Sequence, residues 1–423
     1  ESIVFENAFT PASWTLPAGM SLFTSLYPFT HGVMNRFNEN KIDSDTITLV
    51  DILKENGYKT AAFTGGFDYD SKFGLTNRFD VISSGEEHVI DKNENNIIPW
   101  IGSLVSSAPA ALEWVKNNQD KKFFLFVQGY DVHCPFTPPK PYDRLFDPEY
   151  NNSVDYSLCL WTFDRTSPFF IDGKKYYNVS KSSANNQLEQ IKLGEEDIRH
   201  LIALYDGEIK YADLIIGDFL NNIKKLGLDH NTIIILISEH GDIFGKHGRF
   251  MRGGPLRGTF YDDVIHIPLI IKHPNLEPKR VDGLVQIVDI TPTILNFVDI
   301  PFDNDIEGTS LNPLIRGNVT INNFIFGGSM YSPSPISKLF NKSSQVEFVR
   351  TNDWKLIREQ LFSDNGEIEE TYELFNLKED PEELNNIYYT ENPNIKEIRE
   401  ELKEKLFNWL DNFNGTASGL KWS

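Results

Sequence analysis

Four short segments carry side chains that could do chemistry. The first runs Thr15-Leu16-Pro17-Ala18-Gly19, with a hydroxyl two positions before a proline. Proline suits the first turn of a helix, where a missing N–H costs nothing. Thr15 would then sit where free backbone N–H groups and the helix dipole favour an anion, and its own alkoxide. The second is Ser238-Glu239-His240-Gly241-Asp242, followed by Lys246-His247-Gly248. A carboxylate beside an imidazole can ligate a divalent cation, with Thr15 as a further ligand and His247 as a nearby third group. The third is Asp131-Val132-His133-Cys134-Pro135. His133 could protonate a leaving-group oxygen or hold an anionic substrate. The fourth is Arg257-Gly258-Thr259, whose guanidinium suits a pair of sulfuryl or phosphoryl oxygens. Each segment has a plainer reading: a helix cap, a solvated turn, a structural histidine, a surface ion pair. Their joint occurrence is the stronger signal.

The elements that must position these groups are legible in outline. Short β-branched or aromatic runs at Lys59–Thr64, Phe123–Gln128, Thr232–Ser238 and Ile267–Lys272 are expected strands, each too continuous for a one-sided antiparallel sheet. The second and third chemical segments follow directly on two of them. Ligands of open α/β sheets bind beyond the carboxyl ends of strands. From about Glu196 to Leu226, Ile198, Leu201, Tyr205, Ile209, Ala212, Ile216, Phe219 and Ile223 step by three and four, which predicts one long helix stopped by Gly227. Strand runs alternating with helical ones predict an α/β/α sandwich with a large, mostly parallel sheet. Alternation at Val346–Arg350 and Trp354–Arg358, then Tyr372–Leu374 and a charged helix over Asn394–Leu410, predicts a small C-terminal antiparallel sheet and helix. The expected division is a catalytic domain over residues 1–330 and a subdomain over 331–423, with polar residues 151–194 as an insertion or long loop.

Bulk properties narrow the function. The chain of 423 residues carries a net charge of −21, from 61 acidic and 40 basic residues. Such a surface repels phosphate backbones, which excludes a general nucleic-acid-binding role. An anionic substrate needs a local cation cluster to overcome the same field. Two cysteines, Cys134 and Cys159, are too few for a disulfide framework or a cysteine zinc site, and both read as structural. No apolar run approaches the roughly 20 residues that span a bilayer. The chain opens on Glu1 rather than Met, so its true start is expected upstream, and the sequence admits both a cytoplasmic and an exported protein.

Together the segments resemble the sulfatase branch of the alkaline-phosphatase superfamily. Thr15–Val33 is similar to that family's nucleophile helix, Ser238–Gly248 to its second metal motif, and Asp131–Phe136 to its Asp-x-His-x-Pro-Tyr segment. Tyr205–Ile209 with Asp213, Asp289–Thr293, and Tyr372 with Asp380–Asn385 resemble its scaffold signatures. The resemblance implies a divalent metal (calcium, zinc or manganese), a covalent ester intermediate and an anionic small-molecule or glycan ester substrate. Four departures accompany it. Thr15 replaces the Cys or Ser that becomes formylglycine, and Ala18 and Gly19 replace Ser and Arg. A Thr-x-Pro start looks instead like the nucleotide pyrophosphatase/phosphodiesterase relatives, which use threonine directly. Glu239 stands for the usual Asp, and Arg257 for a common lysine. The family's opening strand, with paired aspartates, normally precedes a segment like Val4–Phe9, where this sequence begins. The leading expectation is therefore a metal-dependent hydrolase of sulfate or phosphate esters. A non-catalytic binding protein on the same scaffold and a headgroup transferase are the alternatives. The sequence fixes no oligomeric state.

Overall fold

A computed structural model of the chain describes residues 1–36, 40–84, 102–152, 154, 156, 159–161, 166–182, 188–252, 258–302, 305–317, 319–331, 342–363 and 365–413. In chain order the elements are β1 (Ile3–Phe9), α1 (Thr15–Thr24), α2 (Pro28–His31), α3 (Leu49–Glu55), β2 (Lys59–Thr64), β3 (Val81–Ser84), α4 (Leu104–Asn118), β4 (Phe123–Val127), β5 (Leu160–Trp161), β6 (Phe169–Ile171), β7 (Lys174–Ser182), β8 (Leu188–Gly194) and α5 (Glu195–Lys225). There follow β9 (Ile234–Ile237), α6 (Asp262–Ile265), β10 (Leu269–Lys272), β11 (Lys279–Gln286), α7 (Ile290–Phe297), α8 (Asn312–Gly317), β12 (Ile325–Tyr331), β13 (Lys342–Arg350), β14 (Trp354–Ser363), β15 (Ile368–Asn376) and α9 (Pro393–Asp411). The fold is mixed α/β with a small antiparallel sheet and helix at its C-terminal end, the class read from the sequence. Its two compact units are drawn along a different line from the boundary expected near residue 330. One comprises residues 1–49, 233–242 and 252–423, the other 50–232 and 243–251.

In the first unit the strand order is β11-β1-β10-β9. β1 runs parallel to β11, with a register shift between Phe5 and Asn7, and antiparallel to β10. β10 is also antiparallel to β9. This sheet is thus mixed where a parallel one was expected. A continuous apolar run reports burial on both faces, not strand direction, so the sequence pattern could not distinguish the two. The same unit holds the antiparallel meander β12-β13-β14-β15, against which α9 packs Leu402, Leu406 and Trp409 beside Val349, Leu356 and Leu374.

A buried ionic cluster pins α6 in this unit. Lys355 is wholly enclosed, at 0% side-chain exposure, and binds Asp262 at 2.7 Å and Glu383 at 2.6 Å. Arg350 adds a second cation to Asp262 at 2.9 Å while its guanidinium lies 4.2 Å from the Phe9 ring. Burial alone would raise the Asp262 pKa, but Lys355 and Arg350 together outweigh it and hold the carboxyl well below the usual range. The backbone N–H of Asp262 donates to Glu383 at 2.6 Å, so the start of α6 is held by both carboxylates.

In the second unit β3-β2-β4 form a parallel sheet covered by apolar side chains of α4 and α5, among them Ala111, Val115 and Ile223. The helix expected over Glu196–Leu226 is α5, displaced by one residue. Glu195, Glu196 and Asp197 occupy its first turn and Lys224 and Lys225 its last, as the dipole favours. Asp197 reaches back to accept the Gly194 N–H at 2.8 Å. Gly227, at φ +71°, ends the helix in the left-handed conformation. Residues 151–194, expected as an insertion or long loop, contain an antiparallel sheet. β7 pairs with β5, β6 and β8. Tyr177 and Val179 of β7 and Leu193 of β8 pack with Tyr150, Tyr156 and Phe250 in a core of their own. The polar composition of that segment hid the short strands.

Removing one member of a buried ion cluster leaves the others unpaired. Lys355→Ala should therefore cost about 3–5 kcal/mol, read as a lowered urea midpoint. An unchanged midpoint would show that the cluster is solvated.

Candidate active site

The first chemical segment forms the predicted helix. α1 begins at Thr15, with Pro17 in its first turn and Trp14 extended before it. No side chain caps this end and no acidic residue lies in its first turn, so the backbone N–H groups of Thr15 and Leu16 face outward from the helix without a local anion. The helix is buried along its whole length, and Thr15 itself has 1% of its surface exposed. His31, at the end of α2, supports it: the ring Nδ1 accepts the Val33 N–H at 3.1 Å, which leaves Nε2 to donate to Ser21 Oγ at 3.1 Å. Burial drives the His31 pKa down to about 3.

The second segment turns sharply after β9. Gly241 N donates to Val264 O at 2.7 Å, and a Cβ at Gly241 would lie 2.3 Å from Asp263 O, so only glycine allows α6 this close. Ser238 Oγ donates to His240 O at 2.8 Å and stiffens the turn. The His240 ring then has one consistent tautomer. Its Nδ1 lies 2.9 Å from Gly241 O, which can only accept, so Nδ1 carries the proton. Nε2 then carries the lone pair, and Thr15 Oγ1, 3.2 Å away, donates to it. Protein surrounds the half-buried ring closely enough that desolvation holds its pKa well below the ordinary range; the Arg252 charge pushes it further down, against the bond to Gly241. The imidazole is neutral at pH 7, so it can accept a hydrogen bond or ligate a cation.

Arg252 is a group the sequence reading did not single out. Both it and Asp242 are buried and pair at 3.1 Å. Burial raises the Asp242 pKa against the pull of Arg252. A charged residue directly after Phe250 and Met251, inside a stretch otherwise destined for the core, was the available signal. It lies five positions before Arg257, which falls outside the described residues.

Glu239, the other proposed ligand, is half-buried one residue before His240. His133 and His247 belong to the second unit. His133 Nδ1 donates to Cys134 O, and its ring meets Tyr130 edge-on at 5.0 Å. His247 sits in a short 3-10 turn at φ +53°, a left-handed conformation that costs a non-glycine residue about 1–3 kcal/mol. Cys134 and Cys159 form a disulfide, which the sequence reading did not foresee. Both sulfurs of the cluster His133, Cys134 and Cys159 are therefore committed and ligate no metal. The described residues bring the His240 imidazole and the Thr15 hydroxyl together, and Glu239, the neighbouring residue in the chain, is the candidate carboxylate. These donors suit a divalent cation whose remaining positions are filled by water or substrate oxygens.

The sulfatase family model matches residues 1–300, and a model described as the C-terminal part of N-sulphoglucosamine sulphohydrolase matches residues 245–412. The chain belongs to the sulfatase family. Its sulfatase homologues and neighbours are ester hydrolases, which supports a hydrolase acting on sulfate or phosphate esters, and proteins of this family generally use a divalent metal. It is similar to arylsulfatase K of Rattus norvegicus, 26% identical over 92% of this chain and 69% of that one. Arylsulfatase K of Homo sapiens is 24% identical over 90% and 72%. Among solved structures, one in complex with its substrate D-glucosamine-2-N,6-O-disulfate shares the fold with a TM-score of 0.72 at 18% identity, covering 100% of this chain and 93% of that one. A phosphonate monoester hydrolase of Agrobacterium radiobacter shares it with a TM-score of 0.69 at 18% identity, covering 97% and 89%. No helix among the described residues is long and apolar enough to cross a membrane.

The buried His31 gives a pH prediction of definite sign. Its folded pKa, about 3, lies below the unfolded value of 6.5, so the unfolded chain binds the extra proton first. Its contribution is complete above pH 6.5 and lost as pH falls from there toward 3, at no more than about 1.4 kcal/mol per pH unit. Urea unfolding of the native protein and of His31→Gln at pH 7, 5 and 4 should show the native advantage shrinking with acid. A constant difference contradicts the assignment.

Proposed function

We propose that this sulfatase-family chain hydrolyses anionic esters with Thr15 as the nucleophile, in place of the formylglycine of its relatives. The observation that carries the reading is the Thr15 Oγ1 to His240 Nε2 hydrogen bond at the start of α1. In the proposed reaction Oγ1 attacks the sulfur or phosphorus in line. A Thr15–O–S or Thr15–O–P bond forms as the bond to the leaving oxygen breaks. The Thr15 proton is lost to solvent, since Nε2 would hold the cation considered below, and His133, the candidate acid on the sequence resemblance, supplies a proton to the leaving oxygen. Water then attacks the sulfur or phosphorus, one of its protons restores His133, the bond to the Thr15 oxygen breaks, and a solvent proton returns to that oxygen. The α1 N–H groups and Arg252 supply positive potential for the ester oxygens. His247 and Arg257 are proposed as further contacts to them.

Glu239, His240 and Thr15 would hold the divalent metal. Bound there, it would lower the pKa of the hydroxyl and neutralise charge on the ester oxygens. Nε2 has a single lone pair, so a cation bound there would replace its hydrogen bond from Thr15, and the acidified hydroxyl would lose its proton to solvent. Calcium, zinc and manganese all remain compatible with this donor set. The substrate class we propose is a small or glycan-linked sulfate ester, or the corresponding phosphate ester. The near-complete burial of Thr15 favours one second reading, a non-catalytic binding protein on the same scaffold, because an ester must reach a hydroxyl that is 1% exposed.

Aryl sulfate, phosphate monoester and phosphodiester substrates decide between them. Thr15→Ala should lower kcat by at least 100-fold, while Thr15→Ser retains measurable turnover. Survival of full activity in Thr15→Ala removes the nucleophile assignment. Chelation with EDTA should abolish turnover, and one of the three cations should restore it; indifference to chelation removes the metal.

A further inference from the structure

We propose that the Cys134–Cys159 disulfide is a reducible latch that positions His133. The inference rests on the reading in which His133 serves the leaving oxygen. Cys134 directly follows His133, and its carbonyl fixes the imidazole by accepting from Nδ1. The bond joins residues 25 apart, with Cα atoms 5.1 Å from one another. Cys159 stands immediately before β5 in the antiparallel sheet of residues 160–194. The latch thus ties the whole β5–β8 sheet to the histidine segment.

The ends of that segment are held independently. Asp131 Oδ2 accepts the Leu104 N–H at 2.6 Å, and Glu208 Oε1 accepts the Thr137 N–H at 2.7 Å. Between these anchors the disulfide is the covalent constraint on the histidine's neighbour. Bonded sulfurs lie about 2 Å apart, whereas two thiol sulfurs need well over 3 Å. Reduction must therefore move Cys134, Cys159 or both. Cys134 is buried against Phe136, Tyr156 and Phe250, and a small apolar hollow lined by these residues and Met251 lies beside it. The displaced thiol can swing into that hollow, carrying the carbonyl that aims His133.

Cys159 is only half-buried, so its sulfur is the one open to attack. The co-reactant is a dithiol. Its thiolate attacks the Cys159 sulfur, the S–S bond breaks, and Cys134 leaves as a thiolate that takes up a proton. The second thiol of the reductant then closes on the first, releasing Cys159. Two electrons pass, and the reductant ends as its own disulfide.

The test uses the full chain, oxidised or treated with dithiothreitol, with thiol titration showing that two thiols have formed. Reduction should lower kcat several-fold for a phenyl ester with a poor leaving group and little for a nitrophenyl ester, with KM nearly constant. Cys159→Ser should behave like the reduced protein. His133→Ala should show the same leaving-group pattern and lose its sensitivity to dithiothreitol. Equal losses for both esters, or additive effects of reduction and His133→Ala, overturn the latch. If no ester is turned over, the hydrolase reading fails separately. Hydrogen exchange then decides the latch: reduction must raise exchange at Val132–Phe136, and unchanged protection there overturns it.

Discussion

The four residues of α6 hold both halves of the Thr15–His240 pair. The carbonyl of Val264 receives Gly241 N, which shapes the turn carrying His240. The next carbonyl, of Ile265, receives Thr10 N at 2.9 Å and fixes the segment that leads to Thr15. The other end of α6 is locked by Asp262, through Lys355, Arg350 and Glu383. An ion cluster formed by the C-terminal sheet and its following loop thus sets a distance between two side chains 225 positions apart. Such clusters contribute little net stability but penalise every arrangement that leaves a member unpaired. Here that penalty would fall on any shift of α6.

The chemistry of the pair follows from one assignment. Because Gly241 O can only accept, the His240 proton sits on Nδ1 and the lone pair on Nε2 faces Thr15. Desolvation and the nearby guanidinium of Arg252 keep the ring neutral. A neutral acceptor, an uncapped helix start and a buried cation are the ingredients for developing negative charge on a threonine oxygen. Thr15 thus carries a hydroxyl with a hydrogen-bond acceptor 3.2 Å away.

The second unit is organised around a different kind of constraint. Its parallel sheet and long α5 are held by apolar packing, while the segment beyond β4 is held by polar anchors and a covalent bond. Asp131 and Glu208 are both buried, and desolvation raises their pKa values to about 6 and about 8. Each nevertheless accepts a backbone N–H at one end of the His133 segment. The rigidity of that segment comes from side-chain acceptors and the disulfide rather than from regular secondary structure.

The sequence by itself determined the helix start at Thr15, the long α5, the turn after β9 and the C-terminal sheet and helix. Each of these is encoded locally, by a proline in a first turn, by a three-to-four apolar step, by glycine where a Cβ cannot fit, or by alternation. Four things were decided only by the tertiary structure. β10 runs antiparallel to both neighbours, which a uniformly apolar run cannot specify. Short strands build the polar segment before α5, since their partners lie in the same segment and not in their composition. Cys134 pairs with Cys159, which spacing does not dictate. Arg252 lies buried beside His240, because a guanidinium's role depends on which charges surround it, and those are brought there by residues distant along the chain.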